Sequence, residues 1–128
     1  LIQYSNSGVA AFMQRGAVAA IEQGEAFVEE QVARAHRARD IFTQTLLATN
    51  RVRIHPPAGA FYAFFAIDGI EDGYNAAFRI ADEAGVGLAP GSAFGTATTS
   101  YLRACFHRRL DEVETAANRL AKWIGQQG

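Results

Sequence analysis

A single cysteine, Cys105, is all the thiol chemistry this 128-residue sequence contains. No disulfide can therefore close within the chain, and no spacing resembles a zinc site. Cys105 falls in an alternating apolar stretch and reads as a small strand residue. Lysine is just as scarce, with Lys122 the only one. Neither sign of charge is in marked excess. Twelve Lys and Arg against 13 Asp and Glu leave a net charge of −1, which gives no basic footprint for nucleic acid or an anionic membrane. No apolar run approaches the roughly 20 residues a bilayer-spanning helix requires, and no secretory leader opens the chain. The expectation is a soluble, cytoplasmic setting with no nucleic-acid or membrane partner. The first residue is Leu1 rather than methionine, as expected of a fragment or a processed chain.

What is present is ordinary globular composition. Hydrophobic residues make up 49% and charged residues 20%, enough for one domain with a sizeable core. Ser5-Asn6-Ser7 supplies N-cap candidates. From there Val9, Phe12, Met13, Ala17, Ala20 and Ile21 fall at helical spacing, and Gly24 marks the stop. A stripe of this kind is expected to be a packing surface. Residues 25–49 form the longest helical candidate, with Val28, Val32, Ala35, Phe42 and Leu46 at three- and four-residue steps. Glu29 and Glu30 come early and Arg34, Arg37 and Arg39 later, as the helix dipole favours, so the charges and His36 read as a solvated face.

Residues 51–54 alternate like a short edge strand. His55-Pro56-Pro57 breaks regular structure, and residues 61–67 are apolar on both faces, as in a central strand. Residues 68–73 form an acidic turn with three carboxylates but no further ligand at metal spacing, hence a solvated loop. Residues 74–84 read as a helix packing through Ala77, Phe78 and Ala81 and ended by Gly85. Residues 86–89 read as a strand. Asp111 and Glu114 fit the D-x-x-E form of a capping box. The helix behind them carries a seam of Leu110, Val113, Ala117, Leu120 and Ile124, with Trp123 covering its end. The fold class is α/β (α+β): two layers, with a small mixed or antiparallel sheet against helices.

The stretch with most chemistry is residues 88–106. Pro90-Gly91 reads as a tight turn, with Gly91 free to adopt positive φ. Period-two geometry then puts Leu102, Ala104 and Phe106 on one face and Tyr101, Arg103 and Cys105 on the other. A partly buried guanidinium needs a partner, and its planar fork suits a carboxylate. The pattern alone leaves two readings for Arg103: an ion pair with one of the chain's own carboxylates, or a ligand anchor.

Gly59-Ala60-Phe61-Tyr62-Ala63-Phe64, Glu83-Ala84-Gly85-Val86, Ala89-Pro90-Gly91-Ser92-Ala93-Phe94-Gly95 and Tyr101-Leu102-Arg103 stand in an order and spacing that resembles the C-terminal part of class I/II aminotransferases. These are the fold-type I pyridoxal-phosphate enzymes related to aspartate aminotransferase. The resemblance covers nearly the whole chain. It implies that Arg103 grips the substrate α-carboxylate and that Phe94 and Gly95 border the substrate. It further implies an α-amino acid and a 2-oxo acid as substrates, a homodimeric parent in amino-acid metabolism, and pyridoxal phosphate bound mainly by a large domain outside this chain. Residues 1–24 would pack on that missing domain, and residues 25–128 would be the small domain proper.

The same resemblance limits what the chain does alone. Nothing around Lys122 matches the family's Ser-x-x-Lys cofactor motif, and the helix register turns it to solvent. The isolated chain is therefore expected to be inactive, with no catalytic, cofactor-binding or metal-binding residue of its own. His107-Arg108-Arg109 departs from the family pattern and leaves two readings: a basic pair that biases the site toward acidic substrates, or a stretch outside the site on the approach to the last helix. Three other readings fit the same residues. They are the sensor domain of a helix-turn-helix transcription regulator, a non-catalytic carboxylate-binding or assembly module, and a lyase or synthase on the same scaffold.

Overall fold

The structure is a computed structural model that describes Tyr4 and residues 8–127. The Ser5-Asn6-Ser7 cap candidates lie outside the described residues. The chain divides into two compact units, Leu1–Ala33 and Arg34–Gly128.

The first unit carries α1, Ala11–Gln23, and the start of α2, Glu25–Leu47. Between them Gly24 closes α1, its N–H donating to the Ala20 carbonyl. The Met/Phe stripe is helical as its spacing requires, but among the described residues it is exposed rather than buried. No residue of α1 is buried. Phe12 is 74% exposed and Ile21 85%, while Phe27, Val28 and Val32 at the start of α2 are also open. Helical periodicity fixes which residues share a face; it does not say what covers that face.

The second unit is a two-layer α+β fold. Its sheet contains β1 (Val52–Ile54), β2 (Tyr62–Ile67), β3 (Ala89–Pro90) and β4 (Tyr101–Cys105) in the order β1-β2-β4-β3. All three pairings are antiparallel, which settles the sheet type. β2 is central and β1 is an edge. Pro90, which has no N–H to donate, sits on the other edge. Residues 86–89 do not form the strand their apolar run suggests: only Ala89 and Pro90 pair, opposite Arg103 and Leu102.

One sheet face meets the helices. Ala63, Phe65 and Ile67 of β2 and Leu102 and Ala104 of β4 are buried, and Phe106 just beyond β4 joins them. Over them lie Ala38, Phe42 and Leu46 of α2, with Phe42 edge-on to Phe65 at 6.0 Å between ring centroids. Helix α3, Gly73–Ala84, packs through Gly73, Ala76, Ala77 and Ile80. The sequence reading of Phe78 and Ala81 as its packing residues is wrong, because both are exposed. Small residues face the sheet because the helix approaches closely: a Cβ on Gly73 would lie 2.5 Å from the Tyr101 carbonyl oxygen. Asp72 caps α3 by accepting from the Asn75 N–H at 3.0 Å, and Gly85 ends it at φ +66°.

Helix α4, Leu110–Gly125, buries Val113, Ala117, Leu120, Trp123 and Ile124, so the seam is the expected one except that Leu110 is only half-buried. The D-x-x-E box does not form. Arg109 occupies the cap position, and Asp111, already inside the first turn, holds the Arg109 guanidinium at 2.7 Å. That guanidinium keeps the Asp111 carboxyl below the usual carboxylate range.

Trp123 does more than cover the end of α4. Its indole N–H donates to Glu83 Oε2 at 2.7 Å, and Arg79 stacks over the indole at 5.3 Å. The indole N–H first, and Arg79 second, hold the Glu83 carboxyl below its ordinary value of 4.5. A depressed folded-state pKa contributes stability that is complete above the unfolded value and is lost as pH falls through the folded one. Trp123 is the only tryptophan, so its emission should change as pH falls through the acid range below 4.5. Glu83→Gln should flatten that change. An unaltered transition in Glu83→Gln would show that another carboxylate controls the helix contact.

Candidate functional site

The open face of the sheet holds the site. Register and alternation place Tyr62, Phe64 and Ala66 of β2 beside Cys105, Arg103 and Tyr101 of β4, with Phe64 directly opposite Arg103. Each of these side chains points away from the helices because its neighbours along the strand are core residues. Ala66 is buried, Arg103, Phe64 and Tyr101 are half-buried, and Tyr62 and Cys105 are exposed.

Arg103 has aromatic neighbours rather than acidic ones. Its Cζ lies 4.3 Å from the centroid of the Tyr62 ring and 3.9 Å from that of Phe94. These are close cation–π distances, well inside the roughly 6 Å limit for such contacts. Among the described residues the ion pairs are Arg39–Asp40, Arg53–Asp68, Arg79–Glu83 and Arg109–Asp111. Arg103 is in none of them, so the internal ion pair is not formed among the described residues.

Phe94 reaches Arg103 from the loop between β3 and β4. That loop contains two short 3₁₀ turns, Gly91–Ala93 and Thr96–Thr98. Pro90 leads in as expected, but the need for glycine next to it is steric. Gly91 does not have positive φ. A Cβ there would overlap the carbonyl oxygens of Thr98 and Tyr101, so the loop folds back on Gly91 closely enough to exclude any side chain. Thr98 Oγ1 closes the loop, its single O–H shared between the Gly91 carbonyl at 2.7 Å and the Gly95 carbonyl at 2.8 Å. Gly95 thus enters through the shape of the loop, and Phe94 through its ring.

Phe94 is also tied to the sheet. Its ring meets Phe64 edge-on at 6.3 Å, and Phe64 stacks on Tyr101 at 5.0 Å. Tyr62, Phe64 and Tyr101, together with Arg53, Ile54, His55 and Pro57, line an open depression of about 570 Å³. Arg53 at its rim is engaged by Asp68 at 3.1 Å. The structure therefore brings Arg103 and Phe94 together and adds Tyr62, which sequence reasoning did not single out. The signal was available in Gly-Ala-Phe-Tyr-Ala-Phe, but using it requires the β2–β4 register.

The remaining singled-out residues lie elsewhere. His107 is half-buried against Phe61 at 5.6 Å and beside Arg34 at 3.5 Å, while Arg108 is exposed. Among the described residues no group of three or more His, Cys, Asp or Glu is arranged to hold a metal ion. No helix of the described residues is long and apolar enough to cross a membrane.

A profile of the family described as aminotransferase class I and II matches residues 2–120. The chain belongs to that family. An aspartate aminotransferase from Pinus pinaster is 33% identical over 132 residues, covering 92% of this chain and 26% of that protein. A probable aspartate aminotransferase from Methanocaldococcus jannaschii is 30% identical over 114 residues, covering 89% of this chain and 30% of its own length. Among solved structures, the aromatic aminotransferase from Pyrococcus horikoshii matches at a TM-score of 0.84 and 26% identity, over 98% of this chain and 34% of that one. The chain thus spans less than a third of the length of these curated relatives.

Class I and II aminotransferases imply pyridoxal phosphate, and the residues present here do not fit its attachment. Lys122 is exposed on α4, whose buried side covers the core face of the sheet. Arg103 projects from the opposite face. The sole lysine and the candidate carboxylate anchor are therefore separated by the sheet and its core.

Proposed function

We propose that this chain is the substrate-carboxylate-binding part of a pyridoxal-phosphate-dependent aminotransferase acting on an α-amino acid and a 2-oxo acid. The observation that carries the reading is Arg103. It is a half-buried guanidinium on the open sheet face, flanked by aromatic rings and outside every ion pair among the described residues. An arginine so placed is satisfied by a planar anion with two acceptor oxygens, and an α-carboxylate is such an anion. Arg103 binds and orients the substrate through that carboxylate. Phe94 and Gly95 border it, and the rings beside the guanidinium exclude water from the pair.

In the full-length protein the cofactor is held by residues outside this chain. It supplies the electron sink for reaction at the substrate α-carbon. The apolar face of α1 and the start of α2 supports the same division, because Phe12, Ile21 and Phe27 are exposed here and suited to a covering domain. Residues 1–24 belong with that large domain's surface in this reading and residues 25–128 with the small domain. A cytoplasmic homodimer completes it.

The test uses both lengths of protein. The full-length protein, supplied with pyridoxal phosphate, should convert amino acids from a panel into their 2-oxo acids. The 128-residue chain, incubated with pyridoxal phosphate, reduced with borohydride and dialysed, should carry no stoichiometric adduct. A stoichiometric adduct on Lys122 contradicts the division of labour, and a full-length protein that transfers no amino group contradicts the function.

A further inference from the structure

We propose that Tyr62 and Phe94 are positioning residues that clamp the Arg103 guanidinium between two rings, leaving only its in-plane N–H edge open to a carboxylate. The inference rests on the proposed role of Arg103 and adds to it what holds the group in place. Four observations support it. The two rings lie at 4.3 and 3.9 Å from Cζ, so each is within stacking reach of the cation. Among the described residues no acidic side chain shares that task, since the ion pairs all involve other arginines. Phe94 is fixed in turn, edge-on to Phe64, which stacks on Tyr101. The loop that carries Phe94 is drawn tight at Gly91, where there is no room for a Cβ, and tied by Thr98.

The two walls differ in origin. Tyr62 comes from the central strand and Phe94 from the loop, so one wall is set by the sheet register and the other by the two 3₁₀ turns. An aromatic clamp has a chemical advantage over an acidic one. A carboxylate neighbour would hold the arginine equally still, but it would compete with the ligand for the same N–H donors. Ring faces accept the cation's charge while leaving every donor available. A flexible arginine loses side-chain entropy on gripping a ligand, and a clamped one has already lost much of it. The clamp should therefore strengthen binding of any ligand with a planar carboxylate and do nothing for a ligand without one. Both rings are substantially exposed, 37% for Tyr62 and 47% for Phe94, so their replacement leaves the buried core untouched.

The experiment compares Tyr62→Leu, Phe94→Leu, Tyr62→Phe, Phe94→Tyr and Arg103→Lys in the full-length protein. Three readouts are taken. They are KM and kcat for the amino acid turned over fastest in a panel, the same constants for its decarboxylated amine, and the calorimetric Kd of the matching 2-oxo acid. Each leucine variant should raise KM and Kd about 5- to 30-fold, the size expected for one partly shielded cation–π face. The kcat should stay near the parent value, because ground-state and transition-state binding are lost together. The ratio of amino acid to amine kcat/KM should fall as KM rises, and the aromatic-for-aromatic variants should keep that ratio near the parent value. If Arg103→Lys weakens carboxylate binding while both leucine variants match the parent, the clamp is refuted and the anchor stands. If the leucine variants slow amine and amino acid equally, the rings only support the loop and the clamp is refuted. If Arg103→Lys leaves the amino acid-to-amine ratio unchanged, the anchor fails and the clamp fails with it.

Discussion

Arg103→Lys in the full-length protein should lower kcat/KM for amino acids by tens- to thousands-fold, equivalent to about 2–5 kcal/mol for disrupting a buried charge-assisted pair. Lysine keeps the positive charge, so the loss measures geometry. A guanidinium offers a carboxylate two parallel N–H bonds from one planar group, whereas an ammonium offers a point charge. The surroundings sharpen the difference. Tyr62 and Phe94 lie 4.3 and 3.9 Å from Cζ, distances suited to a flat cation over ring faces. An amine substrate without the α-carboxylate is the control, and it should react equally well with both proteins. If both substrates slow by the same factor, Arg103 acts on something other than the carboxylate.

The second large effect concerns the opposite sheet face. Phe106 is only 2% exposed and sits in the cluster with Phe65, Leu102 and Val113, while its N–H donates to the Phe61 carbonyl at 3.0 Å. Phe106→Ala should cost about 3–5 kcal/mol, the range for truncating a buried aromatic whose cavity cannot collapse. The cavity has little chance to close here, since strands and helices bound it on both sides. Arg103→Ala, three residues earlier on the open face, should cost less, about 1–2 kcal/mol for its partly shielded cation–π contacts. Chemical denaturation of the two variants gives the comparison. Equal losses would mean that Arg103 is part of the structural core and not a free anchor.

The strands were legible wherever alternation had only one physical solution. Leu102, Ala104 and Phe106 are buried and Arg103 faces the other way, because a one-residue shift would bury the guanidinium and expose Phe106. The α4 seam was legible for the same reason, with Val113, Ala117, Leu120 and Ile124 repeating along one side. Helix α3 was not, because Phe78 is the larger hydrophobe but Ala76, Ala77 and Ile80 fit the close approach to β4. Size misled where separation decided. The cap of α4 was misread because Asp111 has two possible uses, and the salt bridge to Arg109 wins once Arg109 takes the cap position. The α1 stripe was legible as a helix face and illegible as a surface, since no periodicity names the covering element.

The site divides similarly. Arg103 stood out because a cation in an apolar strand needs a reason, and Phe94 only through the family resemblance. Tyr62 escaped notice because its link to Arg103 depends on the register that pairs Phe64 with Arg103 across β2 and β4. Nothing local in the sequence fixes that register; the hydrophobic faces of both strands fix it only when they pair.

The central claim is that Arg103 is a carboxylate anchor, and the most direct test is a crystal structure of the full-length protein with a bound 2-oxo acid. The predicted result is a carboxylate with both oxygens on the two terminal nitrogens of Arg103, at about 2.7–2.9 Å and in the plane of the guanidinium. A 2-oxo acid bound with its carboxylate on other groups, and Arg103 still stacked on Tyr62 and Phe94 with no anion, would contradict it.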